Sequence, residues 1–166
     1  MLISLGGLPA TGKTTLARGV ARKTGGVHLR VDTIEQAVVR SGLADHPVGP
    51  VGYAVGYALA EEHLGQGLTV IAESVNPLAV TRDAWRDVAL RAGARLLEVE
   101  VVCSDAAEHR RRAVERIVDV PGLPLPTWEE ITGRAYEPWD RGHLVVDTAV
   151  TDPEGAVRSI LRAAAV

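Results

Sequence analysis

Phenylalanine is absent from this 166-residue chain, so its core has to be built from Val, Leu, Ile and Ala. Cysteine occurs once, as Cys103, which excludes an internal disulfide. Following the run Val99-Glu100-Val101-Val102, Cys103 reads as an ordinary strand-end residue. Basic charge is not in excess: the net charge is −3, and nothing in the composition advertises DNA, RNA or an anionic membrane. Long apolar runs are missing as well. The most apolar helical stretch, Val48 to Ala60, is interrupted by Gly and Pro and is too short to span a bilayer. Repeats, linkers and low-complexity segments are lacking, as are a zinc-ligand spacing, a Gly-x-Ser-x-Gly elbow and a cysteine–histidine nucleophile arrangement.

What is present suits one soluble globular domain over residues 1–166. Strand signals begin at residue 2, so no signal peptide is expected and a cytoplasmic location follows. Lysine is scarce, only Lys13 and Lys23, while arginine is plentiful. One of those two lysines lies in Gly7-Leu8-Pro9-Ala10-Thr11-Gly12-Lys13-Thr14, followed by Thr15. This is the pattern of Gly, four residues, Gly-Lys-Ser/Thr that cradles nucleotide phosphates. It stands between an apolar strand, Leu2 to Leu5, and a helix, Lys13 to Thr24, closed by Gly25 and Gly26. Glycines let the backbone curl and aim its N–H groups inward, and the helix start adds about half a positive charge. Lys13 adds a whole charge aimed at the β/γ-phosphates, and the Thr14 hydroxyl can ligate Mg²⁺.

The rest alternates strand and helix, which predicts a three-layer α/β fold on a five-stranded parallel sheet. The second strand is expected at 27–31, with Asp32 at its carboxyl end as the N-cap of the next helix. Ligands of open α/β sheets bind at such ends, so Arg30 and Asp32 lie on the candidate rim, with Asp32 able to orient or deprotonate a substrate hydroxyl. A helix over 51–64 carries Gly52 and Gly56, in line with Gly49, and Tyr53 and Tyr57. Its glycine stripe calls for close packing or for a ligand, and the two tyrosines are candidate substrate contacts. Acceptor binding is expected over about 32–66. The third strand, 68–72, ends in Glu73-Ser74-Val75-Asn76, an acid at a strand tip suited to Mg²⁺ or to base chemistry. Asn76 and Pro77 are expected to start a helix with Val80, Ala84, Trp85 and Val88 inward and Arg82 near the rim. Glu73, Asn76 and Arg82 complete the expected acceptor side.

A fourth strand over 96–102 precedes a helix over 105–118, where Arg112 and Arg116 share a face. Their field would stabilise a transferring phosphoryl group. A Pro/Gly-rich loop and a capping box at Thr127 follow, so residues 110–134 read as a lid, with Trp128 and Trp139 at its base. A fifth strand, 143–147, and a helix capped by Asp152-Pro153 close the chain.

Taken together, Gly-Leu-Pro-Ala-Thr-Gly-Lys-Thr-Thr at 7–15, Asp32, Ala-Glu-Ser-Val-Asn at 72–76 with Arg82, Arg112 with Arg116, and Val-Val-Asp-Thr at 145–148 resemble the small P-loop kinases of the adenylate-kinase-like group. The nearest resemblance is to the zeta-toxin and chloramphenicol-phosphotransferase-like, AAA_33-type branch. It implies strand order 2-3-1-4-5 and transfer of the ATP γ-phosphate to a small-molecule hydroxyl. It also implies that Gly12, Lys13 and Thr14 hold ATP and Mg²⁺, that Asp32 faces the acceptor, and that Arg112 and Arg116 close over the phosphates. The segment after Asp147 would pass near adenine. The family often has Asp at the third strand's tip, where this chain has the longer Glu73. Two other readings stand beside this one: a nucleotide-dependent switch, and a 5′-hydroxyl polynucleotide kinase. The chain has no Asn-Lys-x-Asp guanine motif and lacks the basic balance that a strand-binding groove needs.

Overall fold

Leu2–Gly6 forms β1, buried at every residue, and therefore sits in the middle of the sheet. The computed structural model describes residues 1–164. Beyond β1, four strands follow: β2 (Val27–Arg30), β3 (Val70–Glu73), β4 (Leu96–Val102) and β5 (Leu144–Asp147). They pair in parallel, in the order β2-β3-β1-β4-β5. The described residues also form seven helices: α1 (Lys13–Thr24), α2 (Val31–Arg40), α3 (Val51–Gly65), α4 (Ala79–Arg91), α5 (Ala106–Glu115), α6 (Trp128–Thr132) and α7 (Pro153–Ala163).

Alternation along the strands divides the core in two. Ile3, Leu5, Ile71, Val99 and Val101 face α1 and α7. Leu2, Val70 and Ala72 face the other way, toward α2, α3 and α4, where Trp85 is wholly buried. The α1–α7 contact is close because Gly19 has no side chain: a Cβ there would stand 2.6 Å from Val157 Cγ2. Alanine gains up to about 1 kcal/mol of helix propensity over glycine. Overpacking against a β-branched neighbour that is stiff at χ1 costs about 1–3 kcal/mol. Gly19→Ala is therefore expected to lower the melting temperature, and a thermal melt by circular dichroism checks the sign.

Several sequence boundaries move, each for a tertiary reason. The third strand begins at Val70 rather than 68, because Leu68 N–H bonds back to His63 O and closes α3 through Gly67 at φ +83°. Val31 belongs to α2, so Asp32 lies in the first helical turn and caps nothing with its side chain. Asn76 takes a left-handed φ of 50°, its side chain buried against Trp85 Nε1 and Ser4, and α4 starts only at Ala79. On α4 the buried face is Arg82, Trp85, Val88 and Ala89, while Val80 is exposed. Helix α5 stops at Glu115, and Arg116 turns out at ψ 126°. The fifth strand starts at Leu144, and the capping box at Thr127 is formed as expected. Among the described residues, no helix is long and apolar enough to cross a membrane.

Candidate functional site

The carboxyl ends of β1, β2 and β3 open into one cleft of about 700 Å³. Its floor is the loop between β1 and α1. Gly7 at φ +140° and Gly12 at φ +97° supply backbone geometry that side chains resist, and a Cβ on Gly7 would strike the Val101 carbonyl. Thr11 Oγ1 donates to Leu8 O at 2.9 Å and Lys13 Nζ to the same oxygen at 2.7 Å, so the curl is tied from within. Thr148 Oγ1 secures it from outside by donating to Thr11 O at 2.8 Å. Among the described residues, the N–H groups of Gly12 to Thr15 find no protein acceptor. They are the orphan donors of a helix start whose residues line the cleft, and they suit a phosphate. Burial pulls the Lys13 ammonium down to about 8, with Glu73 and Asp32 opposing and Arg116 adding to the drop. An arriving phosphate would offset that burial.

The facing wall is acidic. Glu73 is buried at the tip of β3 and accepts a hydrogen bond from Thr14 Oγ1. His28 Nε2 lies 2.8 Å from its other oxygen. Burial alone would raise the Glu73 carboxyl, but the hydrogen bonds from His28 and Thr14, with Lys13 and Arg30 nearby, hold it below the usual range. Thr14 and Glu73 thus form one oxygen pair beside the phosphate cradle, fitted to a hard cation such as Mg²⁺ in company with phosphate oxygens and water. Among the described residues, no three His, Cys, Asp or Glu side chains cluster to hold a metal unaided. Asp32, at the start of α2, lines the same cleft and is partly exposed.

The third side comes from α5 and the loop after it. Arg112 spans Glu108 and Thr148, donating to Thr148 Oγ1 at 2.8 Å and Thr148 O at 3.0 Å. His109, in edge contact with Trp128, meets Pro9 O at 2.8 Å. Arg116 also lines the cleft.

A family model described as an AAA domain, AAA_33, matches residues 2–138. The chain belongs to the AAA_33 family. No functionally curated protein matches it significantly. Among solved structures, a Chloroflexus aurantiacus protein named as a kinase by inference is 23% identical at TM-score 0.75, over 99% of this chain and 95% of that one. Kti12 from Chaetomium thermophilum, solved with ADP-AlF3, is 22% identical at TM-score 0.72, over 99% and 97%. A gluconokinase from Sinorhizobium meliloti 1021 is 18% identical at TM-score 0.67, over 98% and 90%. At these identities the likeness is one of fold alone.

In this AAA_33 protein, Pro9, Ala10, Gly12, Lys13, Thr14 and Thr15 line the cleft, as do Asp32, Tyr53, Glu73, Arg112 and Arg116. Gly7, Leu8 and Thr11 shape the loop from behind. Four expected acceptor contacts fall elsewhere. Tyr57 stacks edge-on against Trp85 and donates to Thr81 O, away from the cleft. Asn76 is buried and joins β1 to α4. Arg82 is buried too, donating to Asn76 O, Glu137 O and Pro138 O under Trp139. Arg30 lies beneath the cleft, 4% exposed, and reaches it only through carboxylate partners. The expectation that Arg112 and Arg116 share a helical face also fails, since α5 ends between them. The glycine stripe packs: Gly52 admits Glu35, and Gly56 faces Trp85, Val31 and Ile34.

Arg18, Glu35, His46, Asp119 and Arg134 also line the cleft, although no sequence motif includes them. Two carried a signal: Arg18 is one turn beyond Thr14, and Glu35 is one turn beyond Asp32. Burial, then repulsion from Asp32, pushes the Glu35 carboxyl up to about 7. Its folded value exceeds its unfolded one, so the unfolded chain loses that proton first. Stability therefore falls as pH rises from about 4.5 to about 7. Glu35→Gln is expected to raise the melting temperature at pH 8 and leave it unchanged near pH 4, which paired thermal melts would read.

Proposed function

We propose that this protein is an ATP·Mg²⁺-dependent phosphotransferase that moves the γ-phosphate to a hydroxyl of a small molecule. The carrying observation is that the phosphate cradle and a second, acidic wall share one cleft with room for two substrates. ATP phosphates would lie on the N–H groups of Gly12 to Thr15 and on Lys13, and Thr14 and Glu73 would hold Mg²⁺. Bound there, the metal would neutralise charge on the β- and γ-phosphates. Arg112, fixed to Thr148, would border the base end, and Arg116 would sit beside the γ-phosphate, near enough to Lys13 to influence its proton.

Asp32 would face the acceptor. The acceptor's O–H proton passes to the Asp32 carboxylate while its oxygen bonds to the γ-phosphorus. The bond from that phosphorus to the β–γ bridging oxygen breaks, and ADP leaves with the electron pair. Products are a phosphate monoester, ADP and one proton. Catalysis on this plan is positioning plus charge stabilisation. Residues 110–134 would act as the lid that keeps water out.

The test is an ADP-release screen with MgATP over sugars, amino sugars, nucleosides and antibiotics bearing hydroxyls, with Lys13→Ala as control. Acceptor-dependent ADP release that vanishes in the control supports the reading. Release that no compound accelerates favours the nucleotide-dependent switch. Acceleration by an oligonucleotide bearing a 5′-hydroxyl favours the polynucleotide kinase.

A further inference from the structure

Arg30 carries a buried positive charge that three carboxylates from three segments divide among themselves. Its Nη1 donates to Asp119 at 2.8 Å, its Nη2 to Asp32 at 3.3 Å, and its Nε stands 3.9 Å from Glu73. That last distance is beyond hydrogen bonding, and Nε has no hydrogen-bond partner. All three carboxylates line the cleft while the guanidinium does not. Arg30 therefore acts on the cleft only through them.

Asp119 differs from the other two. Asp32 and Glu73 sit on α2 and β3, whereas Asp119 lies in the loop joining α5 to α6. Its Oδ2 accepts from both Arg30 Nη1 and Arg18 Nη2, each at 2.8 Å. The same loop presses Gly122 against Gln36 of α2, where a Cβ would come within 2.8 Å of Gln36 Nε2. Asp119 and Asp32 thus compete for one guanidinium. With Asp119 docked, Asp32 receives a single long bond from Nη2. With Asp119 removed, both Nη groups are free for Asp32, and a two-pronged arginine–carboxylate pair is the strong arrangement. Such a pair would turn Asp32 toward Arg30 and away from an acceptor hydroxyl.

We propose that Asp119 is a positioning residue, carried by the loop over the cleft, whose docking on Arg30 and Arg18 leaves Asp32 free to meet the acceptor hydroxyl. This rests on the phosphotransferase reading and adds to it a link between loop closure and the orientation of the base.

Steady-state ADP release from MgATP, with water and with any acceptor the screen supplies, tests it in Asp119→Asn, Asp32→Asn and the double variant. The expected result for Asp119→Asn is a kcat lowered about tenfold by misorientation, with KM for MgATP changed less than about twofold. Asp119→Glu should restore most of the rate. In the Asp32→Asn background, Asp119→Asn should change nothing further, which a merely structural role would not produce. Wild-type kcat in Asp119→Asn overturns the proposal, as does a loss confined to KM or an equal loss with and without Asp32. A thermal melt of each variant separates misfolding from misorientation, and an Asp119→Glu protein that melts like wild type yet stays as slow as Asp119→Asn also overturns it. If wild type releases no more ADP than Lys13→Ala, the phosphotransferase reading itself falls, and this proposal with it.

Discussion

Lys13→Ala is expected to lose ATP turnover by about a hundredfold or more, the scale seen when one preorganised electrostatic donor is removed from a reacting oxyanion. The protein should remain folded. Lys13 is buried, its ammonium has Leu8 O as hydrogen-bond partner, and burial holds it down to about 8. A charge placed there costs the fold something, so its removal does not leave a partner charge stranded in an apolar core. Glu73 keeps His28 and Thr14. ADP release measured beside a circular-dichroism melt separates the two effects. Full turnover in a folded Lys13→Ala protein would end the proposed chemistry.

The second large effect is expected at Asp32. Asp32→Asn keeps the side chain's shape but removes the group proposed to take the acceptor's proton. General-base removal costs on the order of 10²–10⁴ in rate. Affinity for ATP should change little, because Asp32 stands on α2 and the phosphate cradle belongs to the β1–α1 loop. A kcat fall with an unchanged dissociation constant for a non-hydrolysable ATP analogue is the expected pattern. Unchanged turnover would remove Asp32 from the chemistry and leave positioning by Lys13 and Arg116 as the whole of it.

Local signals in the chain were strong where backbone geometry depends on residue type. Gly7, Gly12, Lys13 and Thr14 are legible because the loop's curl and the helix start depend on residue type at fixed spacing. The alternation of buried strands with capped helices was legible for the same reason, as were the capping box at Thr127 and the cap at Asp152. Arg82 shows where that reasoning stops. From sequence it is an acceptor-side arginine near the rim; in the fold it is buried, because Glu137 O and Pro138 O come from far along the chain to receive it. Tyr57 and Asn76 are similar: polar residues near an expected rim, turned by Trp85 into parts of the packing.

The sequence alone determined the glycine-lysine loop between β1 and α1 and the α/β class, since each depends on spacing within one turn or one strand. Tertiary structure alone brought Asp119 to Arg18 and Arg30. Arg18, Arg30, Asp32, Glu73 and Asp119 come from five segments and converge at one end of the sheet. No local pattern marks that convergence, because an ion pair between residues 89 or more positions apart is set by how the layers stack.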